Sequence, residues 1–194
     1  MYRLPFRLTL CLAPAVLNAA TFYVSLSGSH QPPFDTWEKA ATNIQAAVNA
    51  AANGDTVLVN DGVYTGTVQY LVVISNNITL QSVNGPEVTI IDCKAGTVDT
   101  DRHALWLRNT ATGAMVNGFA LQGCYHSTAY GYAGVFMEAG TISNCIIRNN
   151  LAGGGLYSGG IRMSGGLLTD SIISNNVCIE WQIGRGGGIW MSGG

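Results

Sequence analysis

Short apolar runs, separated by glycine, asparagine and serine, recur at a nearly constant interval along the second half of the chain. The nine residues from Ile142 return in similar form from Leu168, 26 positions later. The eight residues from Gly159 return from Gly187, 28 positions later. Runs of this length are too short for helices, and an interval of about 26 to 28 residues suits one coil of a parallel β-helix, with two or three short strands per coil. The pattern therefore predicts an all-β fold, a single-stranded parallel β-helix.

Stacking the repeats also predicts which positions face the core, because alternate residues of a strand point to opposite sides of the sheet. Two columns are apolar in almost every coil and should point inward: Leu105, Val135, Ile161 and Ile189, and Leu107, Met137, Met163 and Met191. The column between them should then point outward: Trp106, Phe136, Arg162 and Trp190. One position further on, Arg108 and Glu138 should pair across neighbouring coils.

Two further elements follow from the polar positions. Asn149 and Asn150 should stack on Asn175 and Asn176 as a structural ladder at a corner. Ahead of the coils, the segment 42–45 fits a capping box with Thr at the N-cap, and apolar residues follow at helical spacing. We expect a short amphipathic helix there, covering the open end of the apolar core as a solenoid cap does.

Composition narrows the class of protein. Charged residues make up 10% of the chain, 25 residues are glycine and 47% are apolar, which favours short strands and tight turns over disorder. The net charge of -2 offers no basic surface, so no nucleic-acid partner is expected. Cys93, Cys124, Cys145 and Cys178 could pair in an oxidising compartment, but we favour buried thiols at core positions.

The chain start is typical of an export signal. Arg3 and Arg7 precede an apolar stretch over 8–17, and small residues follow at Ala19 and Ala20. The stretch is too short to span a bilayer, so no transmembrane span is expected; the alternative is an uncleaved apolar start packed on the domain. We divide the chain into a signal peptide (1–20), an N-terminal strand and capping helix (21–54) and β-helix coils (55–194). Because the last repeat stops in mid-coil, we expect a piece of a longer protein.

Several segments resemble one known group. The run Gly-Asp-Thr-Val-Leu-Val from Gly54, the Gly-Val-Tyr from Gly62 and the segment 82–92 are similar to the bacterial right-handed parallel β-helix repeat proteins of the pectin-lyase-like superfamily. The resemblance implies a right-handed β-helix that is secreted or displayed at the cell surface. It does not imply an activity, because this fold carries lyases, hydrolases, adhesins and proteins of no known function.

The candidate catalytic residues form one cluster: Asp99, Asp101, Arg102 and His103. The cluster offers an acid, a base and a cation ligand, yet no carboxylate aligned with it lies one coil away. We therefore favour a solvated corner loop. The histidines lack metal-ligand spacing, and no metal or cofactor is expected.

The outward column suggests binding instead. Aromatic rings can stack on sugar rings, and arginine can pair with a uronate carboxylate. Loops at the same point of successive coils add further aromatic side chains: Tyr130, Tyr132, Tyr157 and Trp181. The first hypothesis is an exported structural or binding module that contacts a polysaccharide or cell-surface ligand. The alternatives are rings that only pack on one another, and a polysaccharide lyase or glycoside hydrolase with active coils beyond residue 194.

Overall fold

The computed structural model describes residues 18–94, 101–127, 131–153, 158–179 and 186–193. Within these ranges the chain forms many short strands and one short helix. In chain order they are β1 (Thr21–Val24), α1 (Ile44–Ala50), β2 (Thr56–Val59), β3 (Gly62–Tyr64), β4 (Tyr70–Ile74), β5 (Thr79–Ser82), β6 (Thr89–Asp92), β7 (His103–Leu107), β8 (Met115–Asn117), β9 (Ala120–Gln122), β10 (Tyr125–His126), β11 (Val135–Met137), β12 (Thr141–Ser143), β13 (Ile146–Arg148), β14 (Leu151–Ala152), β15 (Ile161–Met163), β16 (Leu167–Thr169), β17 (Ile172–Ser174), β18 (Val177–Cys178) and β19 (Ile189–Met191).

The strands stack into three main parallel sheets, and the chain visits the sheets in turn. The first sheet has the order β1-β2-β5-β8-β12-β16, the second β3-β6-β9-β13-β17 and the third β4-β7-β11-β15-β19. A small corner sheet, β10-β14-β18, lies between the second and third sheets along the chain. The predicted parallel β-helix is thus confirmed as a β-solenoid of about four turns.

The apolar core fills the space between the three sheets. Val135 pairs with Leu105 on one side and with Ile161 on the other, and all three side chains are fully buried. Leu107, Met137 and Met163 form the second inward column of the third sheet. The predicted register of both columns is confirmed, but Ile189 and Met191 in β19 are 42% and 59% exposed and do not belong to the buried core.

The corners depend on residues that tolerate a left-handed backbone. Where the chain turns from the first sheet into the second, Gly118, Asn144 and Asp170 have φ values of 83°, 49° and 48°. Asn149 and Asn175 take the same conformation after the second sheet, with φ values of 54° and 52°. Glycine, asparagine and aspartate adopt this region at low cost, which explains why they recur once per coil.

The predicted asparagine ladder is present, and it includes bonds to the backbone as well as bonds between the stacked side chains. The Asn150 side chain donates to the Asn176 carboxamide oxygen at 3.0 Å and to the Leu121 carbonyl at 3.2 Å. Its own oxygen accepts from the Cys124 backbone N–H at 3.0 Å. One buried side chain therefore connects three successive coils. Asn149 is exposed and contributes through its backbone conformation.

The predicted helix is present, but its N-cap was placed one residue too early. Asn43, and not Thr42, has the extended backbone of the cap and accepts from the Ala46 N–H at 2.9 Å. Gln45, expected to close a capping box, reaches the edge of β4 instead. Its amide oxygen accepts from the Val73 N–H at 2.6 Å, and its amide nitrogen donates to the Val73 carbonyl at 3.2 Å. The helix thereby bonds to the edge of the third sheet at β4, where a further strand would otherwise pair.

The favoured interpretation of the cysteines is wrong for one pair. Cys93 and Cys124 form a disulfide that joins consecutive coils at the end of the second sheet. Cys145 is a buried thiol, as predicted, and its burial raises its pKa to about 11. A thiol with so high a pKa is almost entirely protonated at neutral pH and is a poor nucleophile.

The asparagine ladder can be tested by Asn150→Ala. This change leaves the buried Cys124 N–H and Leu121 carbonyl without their side-chain partner, so we expect the free energy of unfolding to fall by about 3 kcal/mol. Urea denaturation measures the change. The matched control is Asn149→Gly at the adjacent exposed position, which keeps the left-handed backbone and should change stability by less than about 0.5 kcal/mol. Equal losses in the two variants would contradict this role for Asn150.

Candidate functional site

The outer face of the third sheet carries one column of large side chains, which we call the aromatic column: Trp106, Phe136, Arg162 and Trp190. Phe136 pairs with Trp106 and Arg162, and Arg162 pairs with Trp190. The predicted register of this column is confirmed. All four side chains are half-buried, unlike the fully buried residues on either side of Phe136.

The members of the aromatic column stack on one another. The ring centroids of Trp106 and Phe136 are 5.9 Å apart with their planes inclined by 24°. The Arg162 guanidinium lies 4.7 Å from the centre of the Phe136 ring and 5.3 Å from that of Trp190. Both distances suit a cation–π contact. Because the ring faces are turned towards neighbours within the column, solvent reaches mainly ring edges.

Two charged residues flank Trp106, and they do not make the expected ion pair. Glu138 accepts a hydrogen bond from the Trp106 indole N–H at 2.8 Å. The Arg108 guanidinium lies over the Trp106 ring, 4.5 Å from its centre. Both charged side chains therefore contact Trp106. The alternation of side chains along a strand does not predict these contacts.

Beside the aromatic column lies a second group, which we call the Tyr–His cluster: Tyr70, His103, His126 and Tyr132. The two tyrosine hydroxyls are 2.9 Å apart and share a hydrogen bond. The His103 ring stacks on Tyr70 at 4.7 Å and contacts the His126 ring at 5.2 Å. Tyr132 reaches Phe136 at 4.9 Å, and Tyr70 reaches Trp106 at 5.1 Å. The two groups therefore form one continuous set of contacting aromatic rings, in which His103, His126 and Tyr132 are buried and the aromatic column is half-buried.

Burial sets the charge state of the Tyr–His cluster. Desolvation lowers the pKa of His103 to about 4, against the smaller opposing effect of its hydrogen bond to Ala133. The neutral ring donates from Nδ1 to the Ala133 carbonyl at 2.9 Å. Desolvation also lowers the pKa of His126, and the charge of Asp101 opposes this shift. Burial and the bond to Tyr70 raise the pKa of Tyr132, so His103, His126 and Tyr132 are uncharged at neutral pH.

The candidate catalytic cluster is not the solvated corner that the sequence suggested. His103 is only 1% exposed. Arg102 donates from Nη1 to the Cys93 carbonyl at 3.0 Å, beside the disulfide. Asp101 accepts from the Ser127 N–H and hydroxyl at 2.7 and 3.0 Å, and its other oxygen lies 3.5 Å from Nδ1 of His126. Asp99 lies outside the described residues.

The predicted loop aromatics are only partly within the described part of the chain. Tyr130, Tyr157 and Trp181 lie outside it. Tyr132 is 7% exposed, because it packs among the rings of the Tyr–His cluster instead of standing in an open loop. Tyr70 was not predicted as a site residue, because β4 repeats no motif of the later coils. The apolar run over 70–74 was the signal in the sequence that could have identified this strand.

The described residues contain no group of three or more His, Cys, Asp or Glu side chains that could hold a metal ion. Nor does the described chain include a helix long and apolar enough to cross a membrane. Comparison of the chain with protein-family models, with curated proteins and with solved structures found no match. The structure defines a parallel β-solenoid whose third sheet carries a half-buried column of large side chains on its outer face.

The titration of His103 predicts a specific loss of stability in acid. Its pKa is about 4 in the folded chain and about 6.5 when unfolded. The unfolded state then binds more protons between these values, so stability falls as the pH drops from above 6.5 through 4. We expect wild type to lose about 2 kcal/mol between pH 7 and pH 5 from this residue. His103→Gln, which can still donate to Ala133, should show a smaller loss by urea denaturation at the two pH values. Identical pH profiles would refute the assignment.

Proposed function

We propose that this chain is an exported or cell-surface β-helix protein that acts as a structural and binding module, and that its aromatic column contacts carbohydrate. The observation that carries the proposal is the partial exposure of four large side chains in one column on a sheet face. Solubility does not favour such a column, and partly exposed aromatic residues beside polar ones are typical of binding surfaces. Export rests on the sequence of residues 1–20.

The geometry of the column suits a linear chain of sugars. Paired positions of neighbouring strands lie about 4.8 Å apart, so the column offers one contact per coil along a straight line. The exposed ring edges carry the positive side of the aromatic quadrupole and can meet sugar hydroxyl oxygens. Arg162 adds a donor for a carboxylate at the middle of the column, which favours a glycan that contains uronic acid.

An enzymatic role is the second candidate, and it rests on a different observation. Asp101 and His126 approach within 3.5 Å of each other beside the rings of the Tyr–His cluster. A carboxylate beside a histidine can move a proton to or from a substrate. Glycoside hydrolysis by inversion needs a second carboxyl group across the bond, and Glu138, the described carboxylate nearest the column in sequence, is bonded to Trp106. Binding therefore remains the first proposal.

A glycan array tests the binding proposal directly. The wild-type chain and Trp106→Ala/Trp190→Ala are applied to neutral and uronate-containing polysaccharides. We expect wild type to bind at least one glycan, and the double variant to bind it at least about tenfold more weakly because two contacts of the column are lost. The same glycan is then incubated with wild type and with Asp101→Asn, and the products are measured. Cleavage by wild type alone would favour the enzymatic candidate.

The matched control is Trp37→Ala, which removes an indole that is 38% exposed and lies in the segment before α1, away from the third sheet. It should bind as wild type does. Circular dichroism confirms that each variant is folded. If a folded wild type bound no glycan, or if the control lost as much affinity as the double variant, the carbohydrate proposal would fail.

A further inference from the structure

A cavity of about 440 Å³ lies at the N-terminal end of the solenoid. Its walls are the first turn of α1, the strand β3 and the segment 65–68 that leads towards β4. No residue of the aromatic column or of the Tyr–His cluster lines it. The cavity is therefore separate from the surface assigned to carbohydrate.

The cavity occupies the place of a missing strand. At this end, the first sheet begins with β1, and the third sheet is covered by α1 through the bonds of Gln45 to Val73. The second sheet begins at β3, and the described residues provide no strand beyond it. The segment 25–43, which joins β1 to α1, runs past this position without pairing to β3. The space left beside β3 is the cavity.

Apolar side chains line the cavity both at its bottom and at its opening. Ile44, Tyr64 and Ile91 line it and are at most 4% exposed. Three large apolar side chains at its opening are well exposed: Leu26 at 52%, Val63 at 44% and Val68 at 58%. Exposed apolar side chains grouped around one opening mark a binding site more often than scattered ones do.

The polar lining groups carry no formal charge. They are supplied by threonine, asparagine, glutamine and tyrosine side chains, and none of the described residues that line the cavity is Asp, Glu, Lys, Arg or His. Thr65 and Thr67 contribute hydroxyls. A charged ligand would lose hydration here without gaining an opposite charge, so the lining selects an uncharged occupant.

The walls are held in place by bonds within the protein. Asn43 caps the helix at the Ala46 N–H, and Gln45 fastens the same turn to β4. The Tyr64 hydroxyl donates to the Asn60 carbonyl at 2.8 Å, which fixes the ring that lines the cavity. Small-molecule sites are usually preformed in this way, with volumes of roughly 300–1,000 Å³.

We propose that this cavity binds one uncharged, largely apolar small molecule, of the size of a two-ring aromatic compound or a medium-length alkyl chain. The apolar part contacts the exposed side chains of Leu26, Val63 and Val68, above the buried floor of the cavity. A polar end, such as a carbonyl or hydroxyl group, faces the threonine hydroxyls. The site is independent of the proposed carbohydrate face.

The test uses prodan, an uncharged two-ring ketone whose fluorescence shifts to the blue in an apolar site. We expect wild type to bind it saturably, with one molecule per chain. Val63→Asp and Val68→Asp each place a carboxylate at the opening and should weaken binding by at least about tenfold. Val68 lies outside every strand, so its variant keeps the test valid if Val63→Asp fails to fold.

The matched control is Val83→Asp, because Val83 is 43% exposed and does not line the cavity. It should bind prodan as wild type does. The proposal is overturned if wild type shows no saturable binding, or if Val83→Asp weakens binding as much as the rim variants. A wild-type dimer that dissociates in Val63→Asp, seen by sedimentation, would identify a second copy as the occupant and would also overturn it.

Discussion

Parallel hydrogen bonding between successive coils is the constraint on which the rest of this structure depends. It fixes the register, and the register decides which side chains stack. Trp106, Phe136 and Arg162 share a column only because their strands pair residue for residue. The Asn150 carboxamide connects three coils for the same reason. A shift by one residue would move each inward column to the solvent side, so the core, the corners and the outward aromatic column are specified together.

Much of the fold could be predicted because each coil repeats the same physical requirements. Alternating apolar positions identified the inward columns, and recurring asparagines identified a corner. The first coil was harder, since β4 and α1 repeat no later motif. The N-cap was misplaced by one residue because Thr42 and Asn43 are both good capping residues. The Cys93–Cys124 disulfide was missed because the two cysteines are 31 residues apart, further than the repeat interval, so spacing alone did not place them at equivalent positions of neighbouring coils.

The candidate site was only partly predictable. The aromatic column follows from alternation along a strand, but its internal contacts depend on side-chain conformations that alternation does not determine. Glu138 bonds to Trp106, and Arg108 lies over the same ring, where a simple charge pair was expected. His103 follows Asp101 and Arg102 in the sequence and yet is buried, because Tyr70 and Tyr132 cover it from other coils. Such contacts arise from residues distant in the chain.

The register itself can be tested most directly by engineered cross-linking. In a background carrying Cys145→Ala and Cys178→Ala, Phe136→Cys is combined either with Arg162→Cys or with Met163→Cys. Phe136 pairs with Arg162, and paired residues about 4.8 Å apart lie within the Cα separation that a disulfide allows. Met163 is buried on the opposite face. Mild oxidation followed by peptide mass spectrometry should find the cross-link in the first variant and not in the second. A cross-link that forms only with position 163 would contradict the register and, with it, the aromatic column.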